Sequence, residues 1–389
     1  MMLSKLLSLA DVAEKARARL PSPIAGFVDG GTEDCVSLRS NRAAFERIML
    51  LPRGLAGVEQ RSLEIMLWGA PVALPFGIAP MGVMSICRRR CDIEVARAAH
   101  QSGIPFILSG LSNVPLEEVK KVNPDPWYQA YLPGDDTVIA SLADRLEAAG
   151  IEKLVVTIDT CVAANRENNE RAGFTLPFAF SPRLIWDGLT HPRWTTSVFL
   201  NTLLRDGIPR FTNVTADRHG YAITEMPQGG FRAGRDRLSW DHIRRLRERW
   251  PGQLVLKGVS HPADALLAVD HGIDGIILSN HGGRQLDGAI APLDILPTII
   301  GMTPPGYPVM IDGGFRRGTD ILKAYALGAA FVFIGRPMLH GAAIAGTQEV
   351  ARVIEILRTE LDRDLALLGC RAMSDLSPDC LVRVQTERP

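Results

Sequence analysis

The segment SNHGGRQLD places a histidine, two glycines and an arginine directly after an apolar run. Its His281 is a candidate base, because a neutral imidazole can accept a proton near pH 7. Asp159, at the end of another apolar run, is expected to hydrogen-bond the ring, which would fix its tautomer and raise its basicity. Most isolated histidines are core or surface groups, but Gly282 and Gly283 would let a backbone approach a ligand closely. The pattern therefore predicts acid–base chemistry at His281.

Two arginines stand close in sequence to this candidate pair. Arg166 follows Asp159, and Arg284 follows His281. Guanidinium groups bind carboxylates through two parallel hydrogen bonds, so these arginines could hold an acidic substrate. A base, an acid that orients it and a carboxylate clamp together suggest oxidation at a carbon atom that bears both a hydroxyl and a carboxylate.

Two glycine-containing turns near the C-terminus predict a phosphate site. The turns DGGFRRGTD (312–320) and IGRP (334–337) lead into helical patterns and carry arginines. Backbone N–H groups at a helix N-terminus bind phosphate, and arginine adds bidentate hydrogen bonds. The alternative is a pair of solvated turns. Lys257, inside the apolar run LVLKGV, is either part of a structural ion pair or a cation that stabilises negative charge on a bound cofactor.

Eight short apolar segments, alternating with helical patterns, must position these residues. They are 76–80, 105–109, 127–132, 154–159, 254–259, 275–280, 308–312 and 330–335. Nearly continuous apolar strands are typical of a parallel sheet that is covered on both faces. Eight β–α units in a row predict an α/β fold, a (β/α)8 TIM barrel with its active site at the C-terminal ends of the strands. A doubly wound sheet would need a glycine-rich fingerprint after its first strand, and FGIAPMGVM has none.

Two segments fall outside this alternation. Residues 1–75 are expected to form an N-terminal helical cap, followed by the barrel over residues 76–389. Residues 173–238 form a long insertion after the fourth strand, rich in tryptophan, leucine and arginine. A loop of that length is usually functional or mobile.

Composition and charge exclude several classes of protein. The 389 residues include 43 basic and 43 acidic side chains, and 46% are hydrophobic, as in a globular protein. The zero net charge gives no basis for nucleic-acid binding. We expect no signal peptide and no membrane-spanning helix. The six cysteines are scattered as in proteins of reducing compartments, so we expect a cytoplasmic location and no metal site.

Taken together, the chain resembles the FMN-dependent L-2-hydroxy acid dehydrogenases and oxidases. The segments that carry the resemblance are GGTEDCVSLRSNRAAF, IAPMG, QAY, TIDT, LVLKGV, SNHGGRQLDG, DGGFRRGTD, LGAAFVFIGRP and LLGC. The resemblance implies FMN as the cofactor and oxidation of a lactate- or mandelate-like L-2-hydroxy acid to the 2-oxo acid. It also implies a homotetramer.

The resemblance implies a role for each matching position. His281 and Asp159 correspond to the base and its partner, and Tyr131 to the residue that hydrogen-bonds the reacting oxygen. Arg166 and Arg284 correspond to the carboxylate-binding pair. The positions that correspond to flavin contacts are Ser109, Gln129, Thr157 and Lys257 at the ring, and Asp312, Gly314, Arg316, Gly335 and Arg336 at the ribityl chain and phosphate.

Three positions bear on specificity. Phe27 stands where the family usually has a substrate-binding tyrosine, so a less usual or more apolar hydroxy acid becomes plausible. Gly110 stands where relatives often have a second hydroxyl residue. Gly82 resembles the dehydrogenases, because oxidases more often carry alanine there, and this favours a quinone or another acceptor that is not oxygen. The alternative is an oxidase that reduces oxygen to hydrogen peroxide.

The composition of the insertion also favours an acceptor that is not oxygen. Residues 178–215 resemble the membrane-facing loop of mandelate and lactate dehydrogenases, which predicts peripheral contact at the inner face of the membrane. A mobile lid over the site is the alternative. Two rival classes are a barrel that binds FMN or phosphate without turnover and an isomerase acting on a phosphorylated isoprenoid. Neither needs a base together with a carboxylate clamp.

Overall fold

The computed structural model describes residues 6–179, 181–214, 216 and 220–384. Its strands are β1 (Ile48–Leu50), β2 (Ile65–Leu67), β3 (Ala70–Val72), β4 (Phe76–Ile78), β5 (Ile107–Ser109), β6 (Trp127–Ala130), β7 (Lys153–Thr157), β8 (Gln253–Val259), β9 (Gly275–Leu278), β10 (Val309–Asp312), β11 (Phe331–Ile334) and β12 (Leu381–Arg383).

Its α-helices are α1 (Leu9–Arg17), α2 (Ser22–Asp29), α3 (Val36–Glu46), α4 (Cys91–Gln101), α5 (Leu116–Lys120), α6 (Asp136–Ala148), α7 (Glu167–Ala172), α8 (Pro182–Thr190), α9 (Pro192–Trp194), α10 (Asn201–Arg205), α11 (Trp240–Arg249), α12 (Pro262–Asp270), α13 (Pro292–Met302), α14 (Gly318–Ala326), α15 (Arg336–Ala345) and α16 (Thr347–Leu368).

Strands β4 to β11 form one parallel sheet that curls into a barrel. Each strand pairs with the next along the chain from β5 to β11, and β11 pairs with β4. Ile78 bridges to Phe106, and its backbone N–H donates to the Pro105 carbonyl at 2.9 Å, which joins the first strand to the second. The predicted (β/α)8 barrel is confirmed. Each of the eight predicted segments overlaps one of its strands, and β7 and β8 begin one residue before the predicted segments do.

A β-hairpin closes the N-terminal end of the barrel. Strands β2 and β3 pair with each other, and Leu67 joins a cluster of buried side chains inside the barrel. The Trp68 ring lies 5.2 Å from the Trp127 ring, and its Nε1 donates to the Asp274 carbonyl at 3.0 Å. Apolar side chains from each of the strands β5 to β11 fill the interior, which is therefore a packed core. Among the described residues, the barrel itself is therefore open to a ligand at the opposite end.

The N-terminal segment mixes helices with short strands. A capping box between Ser8 and Asp11 begins α1, which buries Leu9, Val12 and Ala16. Helix α1 packs against α15 and α16. Strand β1 pairs with β12, so the segment after α3 and the C-terminal end of the described chain meet in one small sheet. Residues 6–75 thus contain helices α1–α3 at the C-terminal end of the barrel together with the hairpin at the other end.

The insertion between β7 and β8 is largely helical. It contains α8, α9 and α10, with a π-helical stretch (Thr195–Leu200) joining the last two. Trp194 is buried, and its Nε1 donates to the Ile86 carbonyl at 2.8 Å. Residues 180, 215 and 217–219 of the predicted insertion lie outside the described part of the chain.

Candidate active site

The C-terminal ends of the strands surround a cavity of about 570 Å³. The cavity walls include strand-end residues, the end of α2 and part of the insertion. Of the predicted site residues, the walls contain Phe27, Tyr131, Thr157, Arg166, Lys257, His281, Arg284, Asp312, Gly314, Arg316, Gly335 and Arg336. Residues spread over 310 positions of sequence thus converge because parallel strands end at one rim.

His281 and Asp159 form a hydrogen-bonded pair at this rim. The imidazole Nδ1 lies 3.1 Å from Asp159 Oδ1 and 3.3 Å from Oδ2. The His281 backbone has a left-handed φ of 57°, and its N–H donates to Ser279 Oγ at 3.0 Å. Such a conformation is costly for a residue with a Cβ, so the surrounding turn must hold it in place. With Nδ1 facing Asp159, Nε2 is the ring nitrogen available to a ligand.

Gly258 makes the position of Asp159 possible. Strand β8 carries a bulge there, with φ of 97°, and a Cβ on Gly258 would lie 2.7 Å from Asp159 Cβ and Cγ. Only glycine fits both the backbone angle and the space. This requirement is not visible in the sequence pattern LVLKGV, in which Gly258 is one glycine among many.

The electrostatic setting keeps His281 neutral. Burial lowers the pKa of the imidazole, and the nearby Asp159 carboxylate only partly offsets this effect. Burial also disfavours the charged form of Asp159, but its contacts with His281 and Lys257 outweigh burial and hold the pKa of the carboxyl below its usual value. A neutral imidazole beside an ionised carboxylate can accept a proton, because the carboxylate then stabilises the imidazolium.

Arg166 and Arg284 lie on neighbouring turns of the same wall. Arg166 Nε donates to the Arg284 carbonyl at 3.0 Å, and its Nη2 donates to Gln285 Oε1 at 3.1 Å. Arg284 Nη1 donates to the Gly30 carbonyl at 2.8 Å, at the end of α2. Each guanidinium carries five N–H donors, so these contacts leave N–H groups that can bind a carboxylate.

Phe27 lies between this clamp and the insertion. Its ring stacks on Phe174 with centroids 4.3 Å apart, and the Arg284 guanidinium lies 5.1 Å from its centroid. Tyr131 also lines the cavity, and burial raises the pKa of its phenol. Tyr131 is therefore protonated near pH 7 and can donate a hydrogen bond.

Lys257 is paired inside the barrel mouth. Its Nζ lies 2.9 Å from Asp312 Oδ2 and donates to Ser279 Oγ at 2.9 Å. Burial opposes its charge, but the carboxylates of Asp312 and Asp159 outweigh burial and raise the pKa of Lys257 above its usual value. The ammonium group therefore stays charged and connects the His281 turn to the end of β10.

The two predicted phosphate turns adjoin one another. Gly313 and Gly314 have left-handed φ values of 100° and 84°, and a Cβ on Gly314 would lie 2.5 Å from the Asn41 carbonyl. Arg336 begins α15 and donates to the Gly282 carbonyl at 2.9 Å, while α14 begins four residues after Gly314. Burial lowers the pKa of Arg316 to about 9, and Arg336 adds to this effect. Arg316 and Arg336 form no ion pair with a described carboxylate, although Asp29 lies near enough to favour their charge. Two such cations beside two helix N-termini suit a phosphate group.

Comparison with known proteins decides the family. The profile of FMN-dependent dehydrogenases matches residues 16–383. The chain is 36% identical to the (S)-mandelate dehydrogenase of Pseudomonas putida, over 98% of this chain and 95% of that one. It is also 36% identical to an L-lactate oxidase of a Nostoc strain, over 97% and 99% of the two chains. The chain belongs to the FMN-dependent dehydrogenase family.

The solved structures agree with this assignment. The structure of a monotopic membrane protein, (S)-mandelate dehydrogenase, matches with a TM-score of 0.90 and 35% identity, covering 98% of this chain and all of that one. The family supports FMN as the cofactor and oxidation of a 2-hydroxy acid at its CH–OH group as the reaction. Its members include both dehydrogenases and oxidases, so membership leaves the acceptor open.

The residues of this chain fit FMN. Three buried polar atoms at the rim, Gln129 Nε2, Thr157 Oγ1 and Asp312 Oδ1, have no hydrogen-bond partner among the described residues. Buried polar groups are normally paired, so unpartnered donors and acceptors at a cavity indicate a polar ligand. A flavin ring has carbonyl and N–H groups for them. Ser109 Oγ donates to Gln129 Oε1 at 3.2 Å and so orients that amide.

Gly110 and Gly82 have packing reasons for being glycine in this chain. A Cβ on Gly110 would lie 2.9 Å from the Gln129 carbonyl and 3.3 Å from the Tyr128 hydroxyl. A Cβ on Gly82 would lie 2.8 Å from Leu111 Cβ and 3.6 Å from Ser109 Oγ. Larger residues at either position would therefore require the turn after β5 to shift.

Sequence reasoning missed three residues of the cavity region. Arg232 and Arg235 come from the insertion and line the cavity. Gln285 accepts from Arg166 and Arg232 and donates from Nε2 to the Asp159 carbonyl at 2.9 Å. Gln285 lies in the singled-out segment SNHGGRQLD, so its position next to Arg284 was the available signal. For Arg232 and Arg235, the sequence contained no signal beyond the basic composition of the insertion.

Proposed function

We propose that this protein oxidises a lactate- or mandelate-like L-2-hydroxy acid to the 2-oxo acid and passes the electrons to a quinone or another acceptor that is not oxygen. The observation that carries the proposal is the His281–Asp159 pair, with a contact of 3.1 Å, in the same cavity wall as Arg166 and Arg284. A base next to a carboxylate clamp suits a substrate with a hydroxyl and a carboxylate on adjacent carbons.

His281 accepts a proton from the substrate in this proposal. Oxidation of a CH–OH group to a carbonyl removes two protons and two electrons. The lowered pKa of His281 keeps Nε2 free to accept one of the protons, and Asp159 then stabilises the imidazolium. Tyr131 donates its phenol proton in a hydrogen bond to the oxygen that becomes the carbonyl oxygen. The chemistry that bound FMN would supply is that of a two-electron acceptor, which would take the electron pair together with the second proton.

Arg166 and Arg284 orient the substrate. Both guanidinium groups are held by backbone carbonyls or Gln285, so their free N–H groups have a fixed direction. A substrate held by its carboxylate presents its C2 group to His281, and positioning of this kind supplies a large part of a catalysed rate. Phe27 contributes an aromatic surface, not a hydroxyl, beside the clamp.

The remaining predicted positions bind the cofactor in this proposal. Lys257 places a cation where negative charge develops on the flavin ring, and Ser109, Gln129 and Thr157 contact the ring. The ribityl chain and phosphate are bound by Asp312, Gly314, Arg316, Gly335 and Arg336. Support comes from the unpartnered atoms of Gln129, Thr157 and Asp312 and from the buried, cationic character of the last two turns.

Two features support a membrane-side electron acceptor. Gly82 resembles the dehydrogenases of the family, and the described part of 178–215 exposes large apolar side chains, notably Trp186 at 66% and Leu204 at 84%. None of the described helices combines the length and the apolar composition needed to cross a bilayer. From the family resemblance and these exposed side chains, we propose a cytoplasmic homotetramer that rests on the inner face of the membrane and reduces a quinone.

Reoxidation kinetics test the choice of acceptor. The holoenzyme is first reduced anaerobically with an L-2-hydroxy acid and then mixed with a soluble quinone or with oxygen in a stopped-flow instrument. The proposal predicts that the quinone reoxidises the flavin at least as fast as turnover and that oxygen does so far more slowly. Rapid reoxidation by oxygen with stoichiometric hydrogen peroxide would instead establish an oxidase.

A further inference from the structure

The cavity contains more positive charge than the proposed chemistry uses. Its described walls carry one carboxylate, Asp312, and seven cationic side chains, Arg166, Arg232, Arg235, Lys257, Arg284, Arg316 and Arg336. Lys257 is paired with Asp312. Arg316 and Arg336 lie at the phosphate turns, and Arg166 and Arg284 form the proposed clamp. Arg232 and Arg235 are left over, and both come from the insertion.

Arg235 is buried without an anionic partner. It is 8% exposed, and its Cζ lies 4.3 Å from the centroid of the Tyr131 ring. No carboxylate of the described residues forms an ion pair with its guanidinium. Burial lowers its pKa to about 10, and Arg232 adds to this effect, so the group is still charged at pH 7. A buried cation without an anion is costly unless a ligand supplies one.

Arg235 is held firmly by the barrel. It begins a short turn of 3-10 helix (Arg235–Arg237), which follows Gly234. The Gly134 N–H, in the loop after β6, donates to the Gly234 carbonyl at 2.8 Å. A Cβ on Gly134 would lie 2.4 Å from the Arg237 carbonyl group, so the two loops touch backbone to backbone. The cation is therefore fixed beside Tyr131.

Arg232 connects this cation to the clamp. Its Nη2 lies 3.4 Å from Gln285 Oε1, the same oxygen that accepts from Arg166 Nη2 at 3.1 Å. Among the described residues, its other guanidinium hydrogen bond is to the uncharged carbonyl oxygen of Val162, and the Asp159 carboxylate acts on it without forming an ion pair. The proposed carboxylate clamp and the extra cations are thus separated by one amide side chain. A single small molecule with two anionic ends can reach both.

We propose that the substrate is an L-2-hydroxy acid whose side chain ends in a second carboxylate, which Arg235 and Arg232 bind while Arg166 and Arg284 hold the first. This inference rests on the proposed function, because it presupposes a 2-hydroxy acid in this cavity. It changes the expected substrate from lactate or mandelate to a short hydroxy dicarboxylate. The balance of the reaction is unchanged, since the second carboxylate takes no part in it.

The test compares matched substrates on the holoenzyme. Anaerobic reduction of the flavin is followed with the dicarboxylates L-malate and L-2-hydroxyglutarate. It is also followed with two monocarboxylic acids of similar length whose side chains are uncharged, L-2-hydroxybutyrate and L-2-hydroxyhexanoate, called the neutral acids below. The rate at saturation and the apparent dissociation constant are extracted for each acid. We expect one of the dicarboxylates to have the highest ratio of rate to dissociation constant, by roughly 30-fold or more over its neutral partner.

Variants then assign the preference to Arg235. Arg235→Met and Arg235→Gln should weaken binding of the dicarboxylate about 30-fold while leaving the neutral acid within about twofold. Arg235→Lys should restore part of the loss. Arg205→Met removes an exposed arginine elsewhere in the insertion and should leave the binding of both substrates unchanged. Turnover of the neutral acid by each variant shows that it is folded and contains flavin.

Three outcomes would overturn the inference. Neutral acids that reduce the flavin better than both dicarboxylates would exclude the second carboxylate while leaving the proposed function intact. A fall in rate for every substrate in the Arg235 variants would mean that Arg235 only positions Tyr131. A change confined to the rate of flavin reoxidation by quinone would mean that Arg235 interacts with the electron acceptor and not with the substrate. If none of the four acids, lactate or mandelate reduces the flavin, the proposed function itself fails.

Discussion

The imidazole Nδ1 of His281 lies 3.1 Å from Asp159 Oδ1, and both side chains are mostly buried. The carboxylate raises the pKa of the imidazole while burial and Lys257 lower it, and the net effect is a pKa below the ordinary histidine value. The active form of the base is the neutral one. Activity should therefore rise with pH through the pKa of His281 and be near its plateau at pH 7.

Removal of the Asp159 charge should shift the acidic limb of the pH profile, which is the range over which kcat/KM rises with pH. Asp159→Asn deletes the group that raises the pKa of His281, so the limb in kcat/KM should shift to lower pH. The plateau should fall on the order of 10²-fold, because the imidazolium loses its stabilising partner. Asp125→Asn, at an exposed position near the other end of β7, is the matched control. A limb that moves to higher pH would contradict the proposed roles.

The Lys257–Asp312 pair makes a stability prediction. Lys257→Met leaves the Asp312 carboxylate buried and uncompensated, which should reduce the free energy of unfolding by about 3 kcal/mol. The double variant Lys257→Met/Asp312→Asn should recover part of that loss. Denaturant unfolding of the parent, Lys257→Met, Asp312→Asn and the double variant forms a double-mutant cycle that measures the coupling. Equal stability of the single variant and the parent would show that the pair is not formed.

Addition of one hydroxyl to the Phe27 ring should strengthen substrate binding. Phe27→Tyr keeps the ring that stacks on Phe174 and adds a hydrogen-bond donor beside Arg284. A net hydrogen bond of about 1 kcal/mol would tighten binding of lactate about fivefold. The dissociation constant from anaerobic flavin reduction checks this, with Phe27→Leu to separate the hydroxyl from the ring. Weaker binding in Phe27→Tyr would mean that the cavity does not place substrate there.

The exposed apolar side chains of the insertion should bind a bilayer. Replacing Trp186, Leu189 and Leu204 with serine removes three groups that are at least 66% exposed. Each should contribute roughly 1.5 kcal/mol or more when buried in the interface, so vesicle binding should fall by at least 100-fold. Co-sedimentation with vesicles that contain anionic lipid measures it. Leu367→Ser, at a 73% exposed site on α16, is the control.

A parent protein that does not bind vesicles, together with unchanged quinone reduction after deletion of 178–215, would contradict membrane contact. Loss of quinone reduction only in the presence of vesicles would support it.

The barrel could be predicted from the sequence because its strands are apolar on both faces. Segments such as FVFI of β11 and GIIL of β9 are buried throughout. A continuous apolar run of this kind predicts a buried strand even though polar and apolar residues do not alternate in it. The hairpin of β2 and β3 was not predicted, since each strand has three residues and mixed burial. Short strands of that kind are defined by what they pack against.

The candidate site was predictable where chemistry coincides with strand ends. His281 follows β9 and Asp159 follows β7, so the topology brings both side chains to the same rim of the barrel. Arg235 and Gly258 were not predictable in the same way. Arg235 reaches the cavity only because the loop containing Gly134 anchors its turn, and the space beside Gly258 depends on a bulge in β8. Both contacts are long-range packing events with no local pattern.

The central claim is that His281 is the base for oxidation of a 2-hydroxy acid. The most direct test is anaerobic bleaching of the bound flavin by L-2-hydroxy acids, compared in the parent and in His281→Ala with equal flavin content. The account predicts rapid bleaching in the parent and a rate lower by about 10² to 10⁴-fold in His281→Ala. Bleaching at the same rate in both proteins would contradict the account.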